Sequence, residues 1–125
     1  MAMSQFKAKR KVSGGRYKSA RKKKSRELGS LPTFTKIGKR KVKKVKIRSG
    51  KNKFKLLKAE FVNVFDPKMK KYSKLKIEAI VDNPANRHFI KRGIMTKGCI
   101  VKTEKGNARI TSRSGQEGSV NAVLI

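Results

Sequence analysis

The stretch YSKLKIEAIVD, residues 72–82, alternates apolar and charged side chains more regularly than the rest of the chain. Its apolar members are Leu75, Ile77, Ala79 and Val81, and they are set against Lys74, Lys76 and Glu78. A period of two puts each set on its own face of a β-strand, so the run predicts a strand with one buried face. Asn83-Pro84 ends the strand, because proline has no N–H to give to a sheet.

Shorter runs of the same kind lie on both sides of this strand. They predict further strands, one of them with a bulge at Lys43-Lys44, over residues 41–48, 54–65, 94–102, 108–113 and 120–125. Glycine-containing turns are predicted at residues 49–52, 104–107 and 114–118. Short strands with frequent turns indicate an all-β fold, a barrel or a sandwich. We expect a small β-barrel built from short antiparallel strands.

The apolar runs also predict which side chains are buried. In residues 54–65, alternation places Leu57, Ala59 and Phe61 on one face. Cys99 is expected to be a small buried residue. Phenylalanines in such runs belong in the core rather than on a base-stacking surface, and those concerned are Phe54, Phe61, Phe65 and Phe89. Residues 84–93 predict one or two helical turns, capped by Asn83 and begun by Pro84.

The charge of the chain restricts its possible functions more than its length does. The 125 residues include 36 Lys and Arg against 7 Asp and Glu, a formal net charge of +29. Such a chain repels itself unless a polyanion neutralises it. The candidate polyanions are RNA, DNA and an anionic membrane surface. The basic stretches lack the wide apolar face of a membrane-surface helix, so we expect no membrane partner.

The charge and the apolar residues are distributed in opposite directions along the chain. Glu27 is the one acid in residues 1–55, and large apolar side chains are scarce before Leu31. A segment with so little to bury cannot offset its conformational entropy. We therefore expect residues 1–30 to be a basic extension that is disordered without its polyanionic partner, RNA or DNA, and residues 31–125 to be the β-barrel domain. A flexible solubilising tail and a nuclear-localisation signal remain open alternatives for the extension.

The extension carries two local structural signals. Gly14-Gly15 can adopt positive φ angles and approach a phosphate closely. Residues 16–28 have acceptable helix propensity, with Gly29 as a stop.

Several classes of function are disfavoured by what the sequence lacks. No apolar run approaches the roughly 20 residues needed to span a bilayer, and residues 1–15 have no apolar segment typical of a signal peptide. Cys99 is alone, and with His88 it gives too few ligands for a metal site. No nucleophile–base pair or phosphate-loop motif is recognisable. We expect no enzyme activity, no cofactor and no small-molecule substrate.

The motifs resemble one known family. The N-terminal segments KVSGG (11–15) and RKKKSRELG (21–29) are followed in order by DNPANR (82–87), RGIMTKG (92–98), ARITSR (108–113) and GSVNAVL (118–124). This set resembles small-subunit ribosomal protein eight of the archaeal and eukaryotic series, from end to end, at the length of the archaeal form. Ser13 stands where Thr is usual, and Ser114 where Pro is common.

The resemblance implies a structural constituent of the small ribosomal subunit, located in the cytoplasm. Such a protein has a β-barrel body and a basic extension, and it binds ribosomal RNA beside neighbouring small-subunit proteins. Two alternatives remain: a ribosome-assembly factor that shares the barrel, and a general DNA- or RNA-compacting protein, since phosphate contacts carry no sequence information.

The candidate RNA-binding residues are basic side chains and the glycine pair. They are Lys9, Arg10, Lys11, Gly14, Gly15, Arg16, Lys18, Arg21, Lys22, Lys23, Lys24, Arg26, Arg40, Arg87, Arg92, Lys97, Arg109 and Arg113. Arg109 and Arg113 are expected on one face of a strand. Arg87 and Arg92 fit a solvated helical face equally well, and His88 fits a packed or exposed position better than a stacking one. The lysines of residues 41–46 fit either RNA contacts or protection of an edge strand.

Overall fold

The structure is a computed structural model that describes residue 4, residues 6–18 and residues 21–125. Its strands are β1 (Lys36–Ile37), β2 (Lys41–Lys46), β3 (Asn52–Ala59), β4 (Phe61–Asp66), β5 (Lys71–Asp82), β6 (Ile100–Thr103), β7 (Gly106–Ile110) and β8 (Asn121–Leu124). Two four-residue helices, α1 (His88–Lys91) and α2 (Ser114–Glu117), and a 3₁₀ turn (Ser25–Glu27) complete the elements. Over the described residues, no helix has the length and apolar character that a membrane span requires.

The chain forms two compact units, Met1–Pro32 and Thr33–Ile125. In the described part of the first unit, two isolated antiparallel bridges join Ser4 to Leu28 and Arg10 to Arg16. The α-helix considered for residues 16–28 is wrong where the structure describes it, since only the turn Ser25–Glu27 is helical. Adjacent lysines and arginines repel one another along a helix and offer it no apolar face to bury. Ser19 and Ala20 lie outside the described residues.

The second unit is a closed five-stranded barrel with a small sheet beside it. Strands β4 to β8 follow one another around the barrel, and β8 closes it by pairing in parallel with β4, Asn63 opposite Asn121. The small sheet has the order β1-β3-β2, with β1 parallel to β3. The predicted all-β barrel is thus confirmed. Within the barrel only the pair β4–β8 is parallel, and within the small sheet only the pair β1–β3 is parallel. Its core includes Leu56, Val62, Val64, Val101 and Ile110.

Strand β5 confirms the strand predicted at residues 72–82, but not its complete alternation. Leu75 and Ile77 are buried as expected, whereas Ala79 and Val81 are exposed and Ile80 is partly buried. The pairing of β5 with β6 shifts register between Ile77 and Ala79. One extra residue in a strand reverses the face of every residue after it, so the bulge explains the difference.

Residues 54–65 form two strands rather than one. Strand β3 ends at Ala59, β4 begins at Phe61, and the two belong to different sheets. Of the predicted face Leu57, Ala59 and Phe61, only Ala59 is buried: Leu56 is buried in place of Leu57, and Phe61 is 46% exposed while Val62 and Val64 are buried. The break at Glu60 resets which face points inward, and alternation carried across the break cannot show this.

The prediction that the phenylalanines are core residues is wrong, since none of the four belongs to the buried core. Phe54 is 50% exposed and Phe61 is 46% exposed, whereas Phe65 and Phe89 are partly buried. Cys99 is fully buried, as predicted, and burial raises the pKa of its thiol.

The loop after β5 is organised by a buried asparagine. The Asn83 side-chain nitrogen donates to the Ile94 carbonyl at 3.0 Å, and its oxygen accepts from the Ala85 N–H at 3.1 Å and the Thr96 hydroxyl at 2.8 Å. The predicted cap is therefore a cap of a turn, because helix α1 begins only at His88. Asn83 directly follows Asp82, the last residue of β5. Its hydrogen bond to the Ile94 carbonyl therefore holds the chain around Ile94 at this end of β5.

A glycine fixes the contact between α2 and β3. Gly118 ends α2 with φ +71°, a left-handed conformation that favours glycine. A Cβ placed on it would meet the Phe54 Cβ at 3.0 Å. Nearby, the Ser114 hydroxyl donates to the Thr35 hydroxyl, which donates to the Leu56 carbonyl. This short buried network joins α2 and the segment before β1 to strand β3.

Candidate nucleic-acid interface

The small sheet presents a face made almost entirely of lysines. Side chains of directly paired residues share a face of a sheet. Lys43 pairs with Lys55, Lys41 pairs with Lys58, and Lys58 pairs on its other side with Lys36. Lys53 lies on the same side as Lys55, two residues away along β3. We call this set of six the lysine face: Lys36, Lys41, Lys43, Lys53, Lys55 and Lys58.

The strands of the small sheet carry no acidic residue. The sequence has no acid between Glu27 and Glu60, a stretch that includes the whole small sheet. Five of the six lysines are exposed, and Lys55 is partly exposed. Like charges directly opposite each other destabilise a sheet, and a polyanion removes that cost. The face therefore has the electrostatic character of a phosphate-binding surface.

Sequence reasoning identified only part of this surface. The bulge predicted at Lys43-Lys44 is wrong, since the register shift in the β2–β3 pair lies between Lys41 and Val42. Lys44 and Lys46 consequently share a face with Val42 rather than with Lys43. The lysines of β1 and β3 were missed, because their partnership with β2 depends on strand pairing. The available signal was the absence of acids from residues 28–59.

The glycine pair of the extension forms a tight turn. The Lys11 N–H donates to the Gly15 carbonyl at 2.8 Å, and the Gly14 N–H donates to the Lys11 carbonyl at 3.0 Å. Gly14 has φ +82°, as this turn requires. The Arg10 guanidinium donates to the Gly14 carbonyl at 2.9 Å. The turn thereby brings Arg10 and Arg16, which are bridged, side by side.

Two further cations of the extension, Lys7 and Arg21, lie against aromatic rings, and Arg21 also contacts an acid. The Lys7 ammonium lies 4.5 Å from the Tyr17 ring centre, and the Arg21 guanidinium lies 5.0 Å from that of Phe6. Arg21 also donates to the Glu27 carboxylate at 2.6 Å. That hydrogen bond, and the charge of Arg21, hold the pKa of Glu27 below its ordinary value.

The predicted binding residues of the extension are all exposed. They are Lys9, Arg10, Lys11, Gly14, Gly15, Arg16, Lys18, Arg21, Lys22, Lys23, Lys24 and Arg26. The structure brings Arg10 and Arg16 together, and it joins Arg21 to Glu27 as described. An exposed cation is available to a phosphate, so their placement is compatible with the predicted role.

The predicted binding residues of the barrel unit are exposed but dispersed. Arg40 precedes β2, Arg87 and Arg92 flank α1, and Lys97 lies in the loop before β6. The Arg92 guanidinium lies 5.9 Å from the Phe34 ring centre, and the Phe34 ring packs edge-on against that of Phe89. Arg92 is exposed, as a solvated position requires, and it also lies beside the Phe34 ring.

The expectation that Arg109 and Arg113 share a strand face is wrong. Strand β7 contains Arg109 but ends at Ile110, and Arg113 immediately precedes α2. The Arg113 N–H donates to the Glu117 carboxylate, and its carbonyl accepts from the Gln116 and Glu117 N–H groups. Its backbone is committed to the turn of α2, so residues 109 and 113 do not form the expected stripe.

The part of the chain described here offers no cluster of His, Cys, Asp and Glu side chains that could hold a metal ion. Its charged surfaces instead suit phosphates. A closed barrel, a lysine-covered side sheet and a basic N-terminal unit define a class of small, highly basic β-barrel proteins.

Comparison with known proteins gives the family within this class. Residues 4–125 match the family described as ribosomal protein S8e. Small ribosomal subunit protein eS8 of Nanoarchaeum equitans is 50% identical over 116 residues, covering 93% of this chain and 91% of that protein. The eS8 proteins of Picrophilus torridus and Methanocorpusculum labreanum are 43% and 46% identical, covering 100% and 97% of this chain and the same shares of their own lengths. The chain belongs to the ribosomal protein S8e family, as the motif resemblance predicted.

Proposed function

We propose that this protein is a structural constituent of the small ribosomal subunit that binds ribosomal RNA and has no catalytic role. The observation that carries the proposal is the family match over residues 4–125, shared with relatives named as small-subunit proteins. The cytoplasm, as the place of the ribosome, and neighbouring small-subunit proteins as further partners belong to the same proposal. The extension, residues 1–30, is its first binding element and the barrel domain its second.

The proposed mechanism is charge neutralisation where RNA strands crowd together. Lysines and arginines that contact phosphates release condensed counterions, and this release supplies much of the binding free energy. The turn at Gly14 presents Arg10 and Arg16 as a pair of guanidinium groups suited to bidentate phosphate contacts. The extension folds further on its RNA, since it has few apolar side chains of its own to bury.

The lysine face supplies a broader contact in the barrel unit. Lys41 and Lys58 lie opposite each other on strands that carry no acid, so a phosphate between them relieves their repulsion. Lysine ammonium groups act as diffuse point charges and do not read bases. The lysine face therefore contributes affinity and orients the protein on the RNA, whereas the arginines fix the geometry of individual phosphate contacts.

The test is sedimentation of the full chain in cell extracts on a high-salt sucrose gradient. We expect the protein to remain stoichiometric with mature small subunits and polysomes. Appearance only on precursor particles would instead identify an assembly factor, and sedimentation with chromosomal DNA would identify a compacting protein. Either result would overturn the proposal.

A matched pair of variants tests the lysine face within this function. The first changes Lys41, Lys43, Lys53 and Lys55 to Gln, and the second changes Lys68, Lys70, Lys71 and Lys105 to Gln, at exposed positions outside that face. If about ten phosphates are neutralised, log K for RNA falls by roughly 7–9 per decade of salt concentration. The first variant should reduce this slope by more than the second. Equal slopes would show that only net charge matters.

A further inference from the structure

An aromatic and amide surface lies on the outside of the barrel, where strands β8, β4 and β5 run side by side. Register places Val123, Phe65 and Tyr72 in one row across the three strands. Asn121, Asn63 and Lys74 form the next row. Tyr72 is 78% exposed. We call this surface, whose principal side chains are Asn63, Phe65, Tyr72, Lys74 and Asn121, the aromatic face.

The aromatic face forms a shallow groove of about 630 Å³. The Phe65 and Tyr72 ring centres are 4.8 Å apart, with the ring planes tilted by 40°. Phe65 is partly buried, so it supports Tyr72 from the side of the barrel while Tyr72 faces solvent. An exposed ring held by a second ring is a preorganised platform for stacking.

The groups around Tyr72 are those that a nucleotide requires. The Asn63 side-chain nitrogen donates to the Asn121 side-chain oxygen at 3.1 Å. That bond uses one donor and one acceptor, so each amide keeps hydrogen-bonding capacity for an outside group. Amides of this kind pair with the edges of bases. The Lys74 ammonium lies 4.9 Å from the Phe61 ring centre, beside the groove, where it can meet a phosphate.

We propose that the aromatic face binds an unpaired nucleotide of RNA, with its base stacked on Tyr72 and its edge against Asn63 and Asn121. The proposal rests on the proposed function and adds to it a site for single-stranded RNA, in contrast to the charge contacts of the lysine face. Every base has a π-face, so stacking tolerates any sequence. A second copy of the chain is disfavoured as occupant because each copy carries a net charge of +29.

The experiment uses the full chain with Tyr72→Trp as a fluorescent reporter. The natural sequence has no tryptophan, so the signal comes from this position alone. A single-stranded RNA of eight nucleotides should quench the fluorescence, at about 0.5 M salt, where charge contacts are weakened. An abasic strand with the same phosphates should not. A Val81→Trp chain is the matched control, because Val81 is exposed near the opposite end of the same strand.

Affinity measurements on two further variants complete the test. Tyr72→Ala should bind the single strand about 5- to 150-fold more weakly, and Tyr72→Phe should bind within about twofold of the natural chain. Duplex RNA should bind all of them equally. Unchanged single-strand binding by Tyr72→Ala, or equal quenching by the abasic strand, would overturn the site while leaving the proposed function intact, and would point to a protein neighbour on this face. Failure to bind either RNA would overturn both.

Discussion

Lys43 and Lys55 lie directly opposite each other on β2 and β3, two like charges at paired positions of the sheet. The pair is one of three such contacts, with Lys41–Lys58 and Lys36–Lys58. An isolated sheet gains nothing from this arrangement, which opposes its own pairing. The three lysine pairs therefore lower the stability of the free protein.

Replacing one lysine of this pair by an acid should stabilise the free protein. We expect Lys43→Glu to raise the free energy of unfolding by up to about 1 kcal/mol at low salt, because a repulsive pair becomes an attractive one. The gain should shrink in about 1 M salt, where the Debye length falls to about 3 Å. Lys105→Glu, in the β6–β7 turn, makes the same change of net charge away from the small sheet. Denaturant titration should separate the two variants, and equal stabilities at low salt would contradict the argument.

Asn83 should matter for stability far more than its exposed neighbour. Asn83→Ala removes three hydrogen bonds and leaves the buried Ile94 carbonyl without that partner, so we expect a loss of about 2–4 kcal/mol. Asn86→Ala removes one exposed contact, to the His88 N–H, and should cost about 0.5–1 kcal/mol. Chemical denaturation of both variants is the measurement. Similar losses would show that the buried network adds little.

A pair of glycine variants separates backbone strain from a steric clash. Gly50 and Gly118 both have positive φ angles, +78° and +71°, but only Gly118 has Phe54 near its Cβ position. Gly50→Ala should lose about 1–2 kcal/mol from conformation alone, and Gly118→Ala about 1–3 kcal/mol more. Combining Gly118→Ala with Phe54→Gly, which removes the Cβ that the new methyl group would meet, should recover part of that difference. A double variant whose loss equals the sum of both single losses would rule out the clash.

The Arg21–Glu27 ion pair should make the extension sensitive to acid. The pKa of Glu27 is lower when the pair is formed than when the chain is unfolded. The contribution of the pair is therefore complete above the ordinary glutamate pKa and is lost as the pH falls through the lowered value. A carbon-13 NMR titration of the Glu27 carboxyl should show this lowered pKa. Arg21→Gln should raise it towards the ordinary value, whereas Lys22→Gln should change it little; equal shifts would show that net charge, rather than this contact, is the cause.

Sequence patterns predicted the fold class because apolar and polar side chains alternate wherever a strand has one buried face. Leu75 and Ile77 followed that pattern, and Ala79 did not, since a bulge intervenes that depends on pairing with β6. The break at Glu60 had the same effect on Phe61. Cys99 was placed correctly because a small apolar side chain in an apolar run has few other places to go.

The candidate site was less predictable than the fold. The charge of the extension is a property of composition, and so it could be identified from residues 1–30 alone. The lysine face depends on Lys53, Lys55 and Lys58 meeting β2, and the aromatic face depends on Tyr72 meeting Phe65 across a hairpin. Such neighbours are set by register, which a linear pattern leaves undetermined.

The pairing of β8 with β4 has a consequence for the time at which the protein can fold. Proteins are synthesised from the N-terminus, and Asn121 is made 58 residues after Asn63, its partner in the closing pair. A nascent chain therefore displays its extension and all six lysines of the lysine face while β4 still lacks one neighbour. If the partner is RNA, as proposed, its negative charge attracts the growing chain before the barrel closes, and attachment then precedes the pairing of the last strand.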